Sequence, residues 1–126
     1  MSVSTEEDIN HKVIQGDSWQ YQFQYATVDT DQYGVETIYP IDITGYIITM
    51  EVRDKPDGRI LCATCTENDG LTIDYVNGIV DIDVVPAKTK KFTYPRAAYQ
   101  IQGRNEAGDR LTFMKGWFTV DLGIVA

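Results

Sequence analysis

Cys62 and Cys65 are the two residues whose type and spacing could most directly do chemistry. Cysteines separated by two residues occur in redox centres and zinc sites, because a turn or helix start brings two thiolates to one point. Here the pair lies within a segment patterned as a strand, where residues three apart point to opposite faces. The chain has no further cysteine, and its single histidine, His11, is distant in sequence. We therefore predict two structural cysteines, one inward and one outward, and no zinc or redox site.

An acidic segment comes closest to a metal-binding motif. Asp29, Asp31 and Gly34 match the first half of a calcium-binding loop. Tyr33 stands at the third ligand position, however, and Pro40 replaces the closing glutamate, so two of the oxygen ligands are missing. The sole histidine likewise has no nucleophile or acid beside it that would complete a catalytic triad. We predict no enzymatic activity, no metal and no cofactor.

The composition is that of an acidic, single-domain globular protein. At 126 residues the chain can bury a core of its own, and 43% of its residues are hydrophobic. The formal net charge of -8 repels nucleic acid and anionic lipid, so neither is an expected partner. No apolar stretch is long enough to span a bilayer, and the N-terminus lacks the basic and apolar regions of a signal peptide. We expect synthesis in the cytoplasm and no membrane contact.

Apolar and polar residues alternate along most of the chain. Residues 1–9 lack this periodicity, and we expect them to form a flexible acidic N-terminal segment. A single domain over residues 10–126 follows it. The alternation predicts half-buried strands most clearly over 18–25 and 46–53. A proline at its start suits residues 86–92 to a short helical turn. Further strands are predicted over 60–66, 97–102, 110–115 and 117–122, and a hairpin over 71–84.

The hairpin carries the most specific local prediction. Asn77 and Gly78 predict a two-residue type I′ turn, and this turn fixes a register in which Asp74 faces Asp81. The same register places the apolar residues of both strands on one face. Because like charges opposite each other are destabilising, we expect the face bearing Asp74, Asp81 and Asp83 to be solvated. Coverage by a basic protein partner or by a metal ion are the alternatives.

Seven to eight short strands separated by turn residues predict the fold class. Together with the absence of a long amphipathic helix, they indicate an all-β, immunoglobulin-like antiparallel β-sandwich. The segment 28–40 is predicted to be a long connection or a hairpin with an irregular tip. Tyrosine is favoured at contact surfaces because it adds a large area at low entropy cost. Tyr33, Tyr39 and Tyr94 lie in predicted connections and are therefore expected to be exposed contact residues.

Short motifs at the strand starts resemble a known group of proteins. The motifs are IQGDSW at residues 14–19, DITG at 42–45, ITMEVR at 48–53 and GWFTV at 116–120. They resemble small tail and baseplate proteins of tailed bacteriophages, in particular the N-terminal domain of baseplate upper proteins. Because the sequence ends at Ala126 with no fibre-forming region, we expect an adaptor or decoration piece and not a complete fibre.

The resemblance implies a structural protein of the virion, located in the tail or baseplate in preference to the head. Its partners would be other baseplate, tail or fibre subunits, bound in multiple copies within a symmetric assembly. Two alternatives stay open: a decoration protein of the capsid surface, and a carbohydrate-binding module in which Trp19, Tyr21 or Trp117 stacks on sugar rings. The candidate partner-binding residues are Glu6, Glu7, Asp8, Tyr33, Tyr39, Asp74, Asp81, Asp83 and Tyr94.

Overall fold

The protein is an all-β structure, as the sequence predicts. The structure is a computed structural model and describes residues 9–56 and 58–122. No helix in this part of the chain is both long and apolar enough to cross a lipid bilayer. The elements are β1 (His11–Ile14), β2 (Trp19–Gln24), β3 (Ala26–Thr30), β4 (Glu36–Pro40), β5 (Ile47–Arg53), β6 (Leu61–Glu67), β7 (Gly70–Asp74), β8 (Ile79–Val84), α1 (Pro86–Thr89), β9 (Arg96–Arg104) and β10 (Arg110–Asp121).

Eight of these strands form one sheet, in the order β1-β10-β9-β5-β6-β7-β8-β2, and β3 pairs with β4 as a separate hairpin. The expectation of wholly antiparallel pairing is wrong, because β1 runs parallel to β10 and β6 runs parallel to β7. Only Asn68 and Asp69 separate β6 from β7. Asn68 adopts a positive φ of 67°, a conformation that asparagine tolerates, so the chain bends there without reversing.

The sheet curls until its two edge strands, β1 and β2, lie close together, so that it is nearly closed as a barrel. Aromatic rings fill this seam. The His11 ring of β1 lies 4.5 Å from the Tyr21 ring and 5.0 Å from the Trp19 ring of β2, between centroids. Phe118 of β10 lies beneath them, 4.9 Å from Trp19 and 4.6 Å from Tyr99. We call these five residues the aromatic seam.

The alternation predicted for 18–25 and 46–53 is confirmed, since the aromatic residues of β2 face the core together with Ile48, Met50 and Val52 of β5. The two predicted strands over 110–122 are instead one strand, β10. A β-bulge between Thr112 and Met114 shifts the pairing with β9 by one residue. Because of this shift Phe113 and Phe118, which lie an odd number of residues apart, both point inward.

The hairpin register predicted from Asn77 and Gly78 is wrong by two residues. Asp74 lies opposite Ile79, and Asp81 lies opposite Thr72. A type I′ turn requires a positive φ at both central residues, and of these two only Gly78 has one. The loop is longer than predicted because the Asp74 carboxylate accepts hydrogen bonds from the backbone and side chain of Asn77. A slip of two residues keeps every side chain on its predicted face.

The predicted helical turn is confirmed as α1, and its last residue ties distant segments together. Thr89 is fully buried, and its hydroxyl accepts a hydrogen bond from the Gly16 N–H at 3.0 Å. The same hydroxyl donates to the Asp17 carbonyl at 2.8 Å. Gly16 and Asp17 form the turn between β1 and β2, so α1 holds the turn that positions the aromatic seam.

Replacing Thr89 by valine should destabilise the fold more than replacing it by serine. Thr89→Val keeps the shape but leaves the Gly16 N–H and the Asp17 carbonyl without their partner, at a cost of about 2 kcal/mol. Thr89→Ser keeps the hydroxyl and loses one buried methyl, at a cost of about 1 kcal/mol. Urea unfolding of both variants measures the difference. Equal stability of the two variants would show that the hydrogen bonds of the Thr89 hydroxyl do not support the turn.

Candidate partner-binding surfaces

The hairpin of β3 and β4 stands apart from the main sheet, and we call it the arm. Its strands pair with each other from Ala26 opposite Pro40 to Thr30 opposite Glu36. The tip is closed by Asp31, whose carboxylate accepts hydrogen bonds from the backbone N–H groups of Tyr33 and Val35 at 2.8 and 2.9 Å. The prediction of a hairpin with an irregular tip is confirmed.

The arm exposes apolar side chains that a soluble hairpin would ordinarily bury. Tyr33 is 81% exposed, Val35 58%, Ile38 56% and Tyr39 51%. The predicted exposure of Tyr33 and Tyr39 is therefore confirmed, and that of Tyr94, which follows α1, is confirmed as well. Two strands alone are marginally stable in water, and a group of exposed apolar residues marks a contact surface. The arm has the character of an element that another molecule covers.

The base of the arm is fixed to the main sheet. The Tyr25 N–H donates to the Gly78 carbonyl at 2.8 Å, and the Ile41 N–H donates to the Tyr25 carbonyl at 3.0 Å. A Cβ at Gly78 would lie 2.6 Å from the carbonyl oxygens of both Tyr25 and Ile41, so only glycine fits there. The Tyr25 ring also meets Phe113 of the core edge-on at 5.2 Å. The arm thus projects from an anchored base.

A second surface lies on the outer face of β5, β9 and β10, and we call it the cationic groove. It encloses about 710 Å³, and among the described residues that line it Glu51 is the single carboxylate. The positively charged residues of its lining come from distant parts of the sequence. They are Arg53, Lys55, Arg104, Arg110 and Lys115.

Strand pairing brings these cations together. Arg104 pairs with Arg110, and Lys115 pairs with Gln100, so that their side chains share the outer face. The Arg110 guanidinium donates to the Gln102 amide oxygen at 2.7 Å, which orients it along the groove. No local sequence pattern predicts this surface, because its residues are scattered over three strands and an adjoining loop. The β9–β10 register would have revealed it.

Local contacts shape the other end of the groove. Arg53 donates to the Glu51 carboxylate at 2.6 Å and to the Gly58 carbonyl at 3.1 Å, so its charge is partly balanced. The Arg96 guanidinium lies over the Trp117 ring, 4.1 Å from its centroid. Such a contact is worth about 0.5–1 kcal/mol at an exposed site and holds the ring in place. The groove therefore combines several cations with one fixed aromatic ring.

The predicted acidic residues do not form one cluster. Asp81 and Asp83 lie on the outer face of β8, where Gln22 donates to the Asp81 carboxylate at 2.6 Å. The Asp74 carboxylate accepts a hydrogen bond from the Asn77 N–H within the β7–β8 loop, and Asp74 does not face Asp81. Glu6, Glu7 and Asp8, also predicted to bind partners, lie outside the described residues. No group of three or more potential metal ligands is present within 9–56 and 58–122.

Both cysteines are buried thiols, so the prediction that one points outward is wrong. A β-bulge opposite Arg53 adds one residue to β6 and turns Cys62 away from solvent. Burial raises the pKa of the Cys62 thiol, and nearby Asp54 raises it further. Burial also raises the pKa of Cys65 and outweighs the opposing effect of Lys88. Since the thiolate is the reactive form, neither residue has the properties of a redox or nucleophilic cysteine.

Thiol labelling should confirm that the two cysteines are inert in the folded protein. We expect both to react with a disulfide reagent at neutral pH about 100-fold or more slowly than in the unfolded chain, because reaction requires local opening. The absorbance of the released thiolate gives the rate. Rapid labelling of one thiol in the native protein would show that this cysteine is accessible.

His11 is the one group of the aromatic seam that titrates near neutral pH. Burial lowers its pKa below the ordinary value, and its Nε2 atom is buried without a hydrogen-bond partner. The ring is packed against Trp19 and Tyr21 in its neutral form. The unfolded chain therefore binds a proton at His11 more readily than the folded protein does. The stability contributed by neutral His11 is present above a pH of about 6.5 and is lost as the pH falls.

Replacing His11 by phenylalanine should remove this pH dependence. Between about pH 7.5 and about pH 5.5, where few carboxylates titrate, the melting temperature of the wild type should fall more than that of His11→Phe. Thermal melts at a series of pH values, followed by circular dichroism, give the comparison. Parallel curves for the two proteins would contradict the assignment of a neutral, buried His11.

Comparison with known proteins adds no assignment to these surfaces. No protein-family model matches the chain, and no curated protein sequence is significantly similar to it. The arm and the cationic groove are therefore the features from which a function has to be inferred.

Proposed function

We propose that this protein is a structural component of a tailed-bacteriophage virion, in the baseplate or at the attachment of tail fibres. It acts through protein–protein contacts, in several copies, after synthesis in the host cytoplasm, and it is not an enzyme. The observation that carries the proposal is the arm, an anchored hairpin with four exposed apolar side chains. A surface of this kind suits permanent burial against a neighbouring subunit.

The arrangement of the phage-like motifs also supports the proposal. Asp42 and Thr44 of the DITG motif form a tight turn in which the Asp42 carboxylate accepts hydrogen bonds from the N–H and hydroxyl of Thr44. Gly45 at the end of this turn has a positive φ of 95°. The IQGDSW motif contains the Gly16-Asp17 turn that Thr89 holds. These motifs serve the scaffold, and the arm is placed between them in the sequence.

We further propose that the main sheet is an immunoglobulin-like sandwich. One layer would be β1, β10, β9, β5 and β6, and the other would be β7, β8 and β2. The neighbours β5-β9-β10 match the C-F-G strands of that fold, and β7-β8-β2 match D-E-B. The arm then occupies the connection between strands B and C. Loops at the ends of such sandwiches commonly bind partners.

The two alternatives differ in how well the surfaces suit them. A decoration protein of the capsid surface would bind its neighbours through the same arm. This alternative differs from the main proposal only in the location of the protein on the particle. A carbohydrate-binding module needs aromatic rings aligned as one exposed platform. Trp19 and Tyr21 stack on each other within the aromatic seam, whereas Trp117 faces the cationic groove under Arg96. The three rings are therefore not arranged as one platform, which favours a protein partner.

Immunolabelling of phage particles tests the proposed function. We expect an antibody against the chain to decorate purified particles at the tail tip in negative-stain micrographs. Labelling of the head would replace the proposal by the capsid alternative. Particles free of the protein would contradict a structural role in the virion.

A pair of matched variants ties that result to the arm. Ile38→Glu places a charge among the exposed apolar residues of β4 and should reduce incorporation into particles. Val85→Glu introduces the same charge at an exposed apolar position outside the arm and should be incorporated normally. Quantitative mass spectrometry of purified particles measures both. Equal incorporation would show that the exposed apolar residues around Ile38 are not the contact.

A further inference from the structure

The arm and the cationic groove carry opposite charge. The arm contains three carboxylates, Asp29, Asp31 and Glu36, and no Lys or Arg between residues 26 and 40. Among the described residues, the groove lining contains five that are positively charged and one carboxylate, that of Glu51. In a chain whose formal net charge is -8, such a concentration of cations on one face leaves the remaining surface strongly acidic. Complementary patches of this kind steer and orient association.

We propose that the arm of one copy docks in the cationic groove of a second copy. This proposal rests on the proposed function, in which several copies of the protein assemble in the virion, and it specifies how those copies bind each other. It names the partner as the chain itself and identifies the two elements that meet. Every residue of the arm and of the groove lining lies within the described part of the chain.

Shape favours the arm over the other acidic surface of the molecule. The face bearing Asp81 and Asp83 is itself slightly concave, enclosing about 380 Å³ with Gln20, Gln22 and Thr72. Two concave faces cannot be brought into close contact. The arm is a two-stranded projection, and a projection is the complement of a groove.

The groove also offers contacts to the apolar residues of the arm. Ile47 of β5 pairs with Arg104, which in turn pairs with Arg110, so these three side chains form one row across the outer face of the sheet. Ile47 is among the most exposed apolar residues of the molecule. Arginine binds carboxylates through two parallel hydrogen bonds, and aromatic rings pack well on guanidinium planes. Carboxylates and tyrosines of the arm therefore find matching groups along one row of the sheet.

The contact joins two different surfaces, so it is heterologous. Each copy carries one arm and one groove, and association continues from copy to copy unless it closes into a ring or a reciprocal pair. Because charge contributes to the contact, raising the salt concentration from about 0.1 M to about 1 M should weaken it. These properties are those of a repeated component of a symmetric particle.

Light scattering after size-exclusion chromatography, on the full chain, tests the proposal. We expect the wild type to form oligomers at low salt. Reversing the groove (Arg104→Glu with Arg110→Glu) or the arm (Asp29→Lys with Glu36→Lys) should raise the dissociation constant about 30-fold or more. Matched controls change the charge equally at exposed positions elsewhere and should assemble as the wild type does. They are Lys90→Glu with Lys91→Glu and Asp81→Lys with Asp83→Lys.

Mixing separates a direct contact from a general effect of charge. The groove variant keeps an intact arm and the arm variant an intact groove, and the two reversed elements are again opposite in charge. An equimolar mixture should therefore associate, although neither variant does so alone. Thermal melts establish that each variant is folded. The proposal is overturned if the reversal variants assemble like the wild type, if the controls lose assembly equally, or if the mixture stays monomeric.

Two further results also overturn it. In the first, the wild type is monomeric at all concentrations. In the second, it stays monomeric but binds polyglutamate in the groove, which would assign the groove to another acidic protein. The proposed function is tested separately by particle labelling. A labelled tail together with a monomeric chain would reject the arm-in-groove contact and retain the virion role.

Discussion

Phe118 lies where the separate parts of the sheet meet, and the rest of the structure depends on its packing. It stacks on Tyr99 of β9, meets Trp19 of β2 edge-on, and lies beside Phe92, which follows α1. The edges β1 and β2 stand at opposite ends of the strand order, so ring packing joins them where the hydrogen-bond ladder ends. Buried aromatic side chains dominate core energetics because each removes a large apolar area from water. Burial lowers the pKa of His11 within this closure, so we expect acid to weaken it.

Closure of the sheet explains how the two candidate surfaces arise. The apolar faces of β2, β5, β9 and β10 are buried in the core. The outer face of β5, β9 and β10 therefore carries mainly polar and charged side chains. The arm has no remaining apolar face of the main sheet to pack against, so Tyr33 and Ile38 stay exposed. The carboxylates of the arm and the cations of the cationic groove therefore lie on separate sheets, where strand pairing does not bring them together. This separation gives an acidic protein one localised positive surface.

The sequence predicted what depends on local periodicity and missed what depends on pairing. The inward face of β2 and the helical turn follow from neighbouring residues and are correct. The β7–β8 register also depends on the close approach of Tyr25 and Ile41 to Gly78, which no local pattern reveals. The bulge in β6 turned Cys62 inward, and the bulge in β10 lies within one strand where two were predicted, for the same reason. The cationic groove was missed because its residues become neighbours only through the register of three strands.

Amide hydrogen exchange, measured by mass spectrometry on dilute and on assembled protein, most directly tests the claim that a closed core presents the arm as a contact element. In dilute protein, the amides of β3 and β4 should exchange much faster than those of β9 and β10, which are buried in the main sheet. On assembly, the arm and the region around Arg104 and Arg110 should gain protection, while β2 and β8 stay unchanged. An arm that is already as protected as β9 in dilute protein, or that gains no protection on assembly, would contradict the account.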